Sequence, residues 1–264
     1  MRHIIDFRVS GATLFATIDA GASATGLLIV SGGNEIRVGA HRGMARLAQV
    51  VAAGGFPVFR FDRRGVGDSE GENGGYAGSA DDIDAALAAF RNARPELKRI
   101  VAFGNCDAAT ALIAHGTKVD ALVLANPWVI EQADALPPPA AIRTRYRQRL
   151  RDPKAWRALA TGQVNIGKAI RGLWRISTPK SQPEGLATTV AACMASSSIP
   201  TTIIVADGDN TGIAFAAEWQ SAVFEPARRR NDVSVLTIPS SSHSFATEAD
   251  FERLVDVLTT VLRQ

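Results

Sequence analysis

The chain has 264 residues, 46% of them hydrophobic, enough to bury a sizeable core in one α/β domain carrying an insertion. Its net charge of +3 is too small to point to nucleic acid, two cysteines exclude a disulfide scaffold, and no apolar run approaches the ~18 residues of a membrane span. Residues 1–8 carry charges where a secretory signal needs an apolar stretch. A cytoplasmic protein without stable membrane insertion is expected, in a compartment where a lone thiol stays reduced.

Residues 4–9 and 13–18 alternate β-branched or aromatic groups with polar ones around Gly11, the pattern of an opening hairpin. Residues 26–30 are an apolar run short enough for a buried strand, and it stops at Ser31, Gly32, Gly33 and Asn34. In residues 40–53, Met44, Leu47, Ala48 and Val51 recur at helical spacing, and Gly54 and Gly55 close the helix. A strand over 56–61 leads into the loop Asp62 to Ser69. Ser79, as N-cap, and Asp81 and Asp82, in the first turn, open a helix over 79–93 that turns Ile83, Leu87 and Phe90 inward. Ile100 to Phe103 form the next strand, Gly104 and Asn105 break it, and Ala108 to Ala114 read as a helix. Another buried strand, 121–125, ends at Asn126, Pro127 and Trp128.

Strands alternating with helices, nearly continuous in hydrophobicity, imply an α/β fold with a mostly parallel sheet covered by helices on both faces. From 130 to 199 the rhythm changes. Pro137, Pro138 and Pro139 precede Arg- and Ala-rich helical segments, with Asp152 and Pro153 at the start of one of them. This stretch holds 11 Lys+Arg against 4 Asp+Glu, a charge of +7, leaving −4 for the rest. Strands resume at 201–205 and 233–238, and a helix over 248–263 ends the chain, burying Phe251, Leu254, Val255 and Leu258. Residues 1–129 and 200–264 therefore read as the core, and 130–199 as a helical cap over the strand C-termini, where ligands of open α/β sheets bind.

Cys106 stands at the apex of strand, sharp turn and helix, with Gly104 and Ala108 two residues to either side, the pattern of a nucleophile elbow. Asp209, after the strand at 201–205, and His243, after the strand at 233–238, complete the chain order nucleophile, acid, histidine of the α/β-hydrolase triad. An imidazole in hydrogen-bond reach can take the thiol proton, the helix N-terminus favours the thiolate, and a carboxylate fixes the imidazole tautomer. Asp207 competes for the acid role; Asp209 is preferred because it lies further beyond its strand. The backbone N–H of Asp107 is one oxyanion donor, and the other comes from Gly33 or Asn34. His243 alone could instead cap the following helix. The Asp107 side chain is expected as a helix N-terminal charge, Cys193 as a small core residue, and His3, His41 and His115 as structural or solvated. No metal-ligand spacing appears, and no cofactor is implied.

The stretches 31–42, 61–71, 104–109 and 126–129, with Arg37-Val38-Gly39-Ala40-His41-Arg42 and Gly104-Asn105-Cys106-Asp107-Ala108 the more specific pieces, resemble the exosortase A system-associated hydrolases, first type. These are α/β-hydrolase-fold proteins linked to bacterial exopolysaccharide and protein-sorting gene clusters. The resemblance implies a hydrolase carried by Cys106, His243 and Asp209. It also implies that Arg37, His41 and Arg42 shape the site entrance or bind an anionic substrate group, against the alternative that they anchor their loop through salt bridges. The three prolines at 137–139 depart from a more continuous cap helix.

The expected activity is hydrolysis of an ester or thioester through a thioester acyl-enzyme, with transfer to an acceptor hydroxyl as the alternative. The basic cap, with Tyr146, Trp156 and Trp174 among its arginines, would suit an anionic carrier such as coenzyme A, an acyl carrier protein or an acidic glycan, or present a solvated face. A non-catalytic binding module on the same fold, and a peripheral partner of anionic membrane, are the readings from other classes.

Overall fold

In the computed structural model, residues 1–129 and 185–264 are described, and the labels below number their elements in chain order. The expectations for Pro137 to Pro139, Tyr146, Trp156, Trp174 and the charged stretch up to residue 184 lie outside the described residues. Eight strands form one sheet in the order β1-β2-β4-β3-β5-β6-β7-β8. They are β1 (Arg2–Val9), β2 (Ala12–Asp19), β3 (Thr25–Val30), β4 (Val58–Phe61), β5 (Arg99–Asn105), β6 (Ala121–Ala125), β7 (Thr201–Ala206) and β8 (Val233–Ile238). β1 pairs antiparallel with β2, and β2 antiparallel with β4; every other neighbour is parallel.

The opening hairpin forms where alternation and Gly11 predict it. Its two-residue turn puts Ser10 at φ 48° and Gly11 at φ 90°, the left-handed pair that matches strand twist. In the central strands the apolar runs are continuous because successive side chains enter different cores. Leu28 and Val30 of β3 join one cluster, and Leu27 and Ile29 join the other. The first cluster receives α2 (Ala80–Ala93), α3 (Asp107–His115), α4 (Leu186–Ser196), α5 (Asn210–Trp219) and α6 (Glu225–Arg228). The second receives α1 (Gly43–Ala53) and α7 (Glu248–Arg263). Each fully buried Leu, Phe or Val side chain contributes about 1.5–3 kcal/mol of transfer free energy, so sandwiching the sheet is the main stabilising term. Among the described residues no helix is long and apolar enough to cross a membrane.

Two differences from the sequence expectations have local causes. The helix expected from residue 40 starts at Gly43, after a 3-10 turn over Ala40–Arg42, because His41 and Arg42 take left-handed φ values of 51° and 61°. The C-terminal end of the segment expected as cap, α4, buries Leu186, Val190, Ala191 and Met194 in the core cluster that also holds α3 and α6. Residues 186–196 therefore pack with the core, and Cys193 among them is half-buried against it.

The sheet's C-terminal edge is organised by the turn between β5 and α3. Cys106 there has φ 60° and ψ −122°, a conformation that costs an L-residue about 1–3 kcal/mol. The turn leaves no room beside it: a Cβ on Gly104 would stand 2.7 Å from the backbone carbon of Ala108, and one on Gly32 2.9 Å from the carbonyl oxygen of Asn105. Gly104→Ala forces backbone to move and is expected to lower unfolding free energy by about 1–3 kcal/mol in urea titrations. An unchanged midpoint would show that the elbow tolerates a side chain there.

Candidate active site

Cys106 is held at the elbow by backbone contacts on two sides. Its N–H donates to Ala125 at the end of β6 (3.0 Å), and its carbonyl accepts from Trp128 (3.3 Å) and Thr110 (3.3 Å). The Thr110 hydroxyl donates to the Trp128 carbonyl at 2.6 Å, tying α3 to the segment after β6. The thiol sits half-buried at the N-terminus of α3, where unpaired backbone N–H groups favour an anion.

The loops after β7 and β8 bring Asp209 and His243 together. Asp209 is the N-cap of α5: its Oδ2 accepts from the N–H groups of Thr211 and Gly212, each at 3.1 Å. The same oxygen lies 3.0 Å from His243 Nδ1. Asp207 is exposed, so of the two candidate acids only Asp209 meets the imidazole. Burial pushes the Asp209 carboxyl up, but the hydrogen bond and charge of His243, with the two capping N–H groups, outweigh it and leave the carboxyl below its ordinary value. The hydrogen bond to Asp209, and then one to Cys106, lift His243 from 6.5 to about 10 against the opposing effect of burial. His243 thus has the Asp209 carboxylate on Nδ1 and Cys106 near enough to raise it further. Its side chain is 45% exposed, so solvent and small reagents reach the pair. The alternative that His243 caps the last helix is set aside, since Thr247 occupies that position and accepts from Asp250 N–H.

Several supporting residues had no signal in the periodicity. Asn105, directly before Cys106, donates through Nδ2 to the His243 carbonyl at 2.9 Å. Its Oδ1 accepts from Asn126 Nδ2 (3.4 Å), and Asn126 Oδ1 accepts from Ala206 N–H (2.8 Å), so one chain of amides joins the ends of β5, β6 and β7 to the histidine loop. Asn126 is fully buried at φ 42°, a left-handed conformation Asn tolerates. On the other side, Ser240 donates to Asp250 at 2.7 Å and accepts from Ser242 N–H at 3.0 Å, fixing the approach to His243. The only sequence clue to these was polar residues at the ends of apolar strands, where a buried polar group must find partners.

The oxyanion and entrance candidates divide. The Asp107 N–H is the first of α3 and has no intrahelical acceptor, which suits an oxyanion donor. The Gly33 N–H, however, donates to Asp107 Oδ1, so of the two loop donors this one is already engaged. Asn34 is exposed, and its side-chain oxygen accepts from Asn73 at 2.8 Å. Beyond a helix-terminal charge, the Asp107 carboxylate meets Arg63 Nη2 at 3.1 Å, and both are buried. Of the two readings of Arg37, its contacts match the loop-anchoring one. Its guanidinium pairs with buried Asp62 and with Asp68 (2.9 Å) and donates to Thr17 at 3.2 Å, so it anchors its loop to β2 and to the loop after β4. His41 and Arg42 are exposed on the same loop.

With this geometry in place, residues 27–257 match the model of the Alpha/beta hydrolase family. No curated protein matches the chain. Among solved structures, an esterase of Pyrococcus furiosus is 16% identical, over 100% of this chain and 91% of that one, with a TM-score of 0.68. The thioesterase domain from the curacin biosynthetic pathway is 14% identical over 100% of both chains, with a TM-score of 0.58. A proline iminopeptidase of Mycobacterium smegmatis is 15% identical over 99% and 98%, with a TM-score of 0.63. At these identities the likeness is one of fold.

The shifts at His243 and Asp209 have opposite pH consequences. His243, raised, contributes stability that is complete below about 6.5 and is lost as pH rises through about 10; Asp209, lowered, contributes stability present above the usual carboxylate range and lost on acidification. An NMR titration is expected to keep the His243 ring cationic through neutral pH with a midpoint near 10, and Asp209→Asn to lower that midpoint. A wild-type midpoint at 6.5 would remove the ion pair.

Proposed function

The chain belongs to the alpha/beta hydrolase family, and from that premise we propose that it is a cysteine-nucleophile acyl hydrolase of esters or thioesters, acting through Cys106, His243 and Asp209. The observation that carries the proposal is the imidazole of His243, held by Asp209 at 3.0 Å through Nδ1 and close enough to Cys106 for the thiol to help raise it. An imidazole held cationic up to about 10 near Cys106 attracts the negative charge carried by an attacking sulfur.

In this mechanism the Cys106 thiolate adds to the acyl carbonyl carbon, and the π electron pair moves onto oxygen. The resulting oxyanion is met by the Asp107 N–H at the positive end of α3. When it collapses, the bond to the alkoxide or thiolate leaving group breaks and His243 Nε2 supplies the proton. The thioester on Cys106 is then attacked by water, which gives its proton to His243, and the carboxylic acid departs as the thiolate and imidazolium re-form. Asp209 orients the ring and stabilises its cationic form throughout.

A thioester intermediate exchanges readily with activated acyl donors, which favours esters with good leaving groups and thioesters over amides. That an esterase and a thioesterase domain share the fold agrees with this substrate class. His41 and Arg42, exposed between β3 and α1, support an anionic group on the substrate. On the resemblance of its motifs to the exosortase A system-associated hydrolases, the setting we propose is exopolysaccharide or exosortase-linked metabolism.

Mass spectrometry after exposure to p-nitrophenyl esters and short acyl thioesters is expected to find the acyl group on Cys106, accumulating in His243→Ala and absent from Cys106→Ala. Turnover in His243→Ala should fall by about 10²–10⁴-fold, the usual worth of a general base. A Cys106 inert at neutral pH to both acyl donors and iodoacetamide would overturn the proposal.

A further inference from the structure

The carboxylate beside the proposed nucleophile has a use the mechanism above leaves open. Asp107 Oδ1 accepts the N–H of Gly33, on the loop after β3, across 74 residues of chain. Its Oδ2 lies 3.1 Å from Arg63 Nη2, and the same Nη2 donates to the Gly33 carbonyl at 2.8 Å. Arg63 is 2% exposed, and its other terminal nitrogen donates to buried Ser79 at 2.8 Å. Asn73, on the exposed side, also donates to the Gly33 carbonyl at 3.1 Å. The Gly33 residue is therefore gripped at both its N–H and its C=O. Because a trans peptide is planar, a Gly33 carbonyl turned toward Arg63 and Asn73 directs the Asn34 N–H to the opposite side.

Resting on the acyl-transfer reading, we infer that Asp107 and Arg63 are positioning residues that lock the oxyanion loop, engaging the Gly33 N–H and leaving the Asn34 N–H as the second oxyanion donor beside the Asp107 N–H. Charge explains why both members are needed. A carboxylate one residue from the nucleophile would oppose the negative charge that develops on the substrate oxygen. The guanidinium of Arg63 neutralises it where water is largely absent and Coulomb interactions are strong. Removing Arg63 alone leaves an uncompensated carboxylate at the site, whereas Asp107→Asn keeps an oxygen that can accept the Gly33 N–H and removes the repulsion.

Two reactions of the same thiol separate this role from general structural support. Acylation by p-nitrophenyl acetate passes through an oxyanion; alkylation by iodoacetamide, a displacement at saturated carbon, does not. Arg63→Gln is expected to slow the acylation burst about ten- to a hundred-fold, short of the 10²–10³ lost when a donor is deleted outright, while alkylation of Cys106 changes by no more than about two-fold. Adding Asp107→Asn to Arg63→Gln should recover part of the lost acylation rate. Asn73→Ala removes an exposed contact to the same loop, so it reads the loop even if Arg63→Gln does not fold; it should slow acylation several-fold and spare alkylation. Parallel loss of both rates, or no loss of acylation in any variant, overturns the lock. A wild-type Cys106 that iodoacetamide does not label would instead sink the acyl-transfer reading itself, and the lock with it.

Discussion

The C-terminal edge of the sheet depends on the turn that carries Cys106 at φ 60° and ψ −122°. Such a conformation persists only where its surroundings over-determine it. Here they are the Ala125 carbonyl on one side, the Trp128 and Thr110 N–H groups on the other, and two glycines, Gly32 and Gly104, that let backbone approach backbone at distances no side chain could share. The strain places the thiol at the start of α3 and clear of the sheet. Every other part of the site is arranged relative to that point, and the hydrophobic sandwich around β3, β5 and β6 supplies the rigidity that holds it.

Around the turn the structure carries more buried polar chemistry than a plain α/β core requires. Asn105 and Asn126 join three strand ends to the histidine loop, Ser240 and Asp250 brace that loop from α7, and Arg63 and Asp107 join the loop after β3 to α3. A half-satisfied network would cost more than an apolar one, whereas one whose members are all paired specifies a single arrangement. The outcome is that loops distant in sequence meet with their donors and acceptors already aimed, which is what acyl chemistry asks of a site.

Much of the architecture was legible before the structure. Residues 121–125, 233–238 and 248–263 form the strands and helix their patterns predict, because apolar periodicity is a local consequence of which faces are buried. The helix Asn210–Trp219 escaped that reading. Thr211 and Gly212 are weak helix formers, and its start is set by Asp209, whose side chain was being weighed for another purpose. Cys106, Asp209 and His243 could be picked out as candidates because turn chemistry and chain order single them out one at a time. Arg37 could not be assigned, since an arginine in a glycine-bearing loop reads the same whether it faces a ligand or, as here, Asp62 and Asp68.

By itself the sequence determined the alternation of strands and helices, the elbow with its small neighbours, and the chain order Cys106, Asp209, His243. Each of these is written in residues within a few positions of one another. Only the tertiary structure decided that Asp209, and not Asp207, meets His243, that Arg37 turns to Asp62, and that the Gly33 N–H goes to Asp107. Those choices pair groups 25 to 74 residues apart, and they follow from strand register and from the demand that buried charges find partners, neither of which a local pattern records.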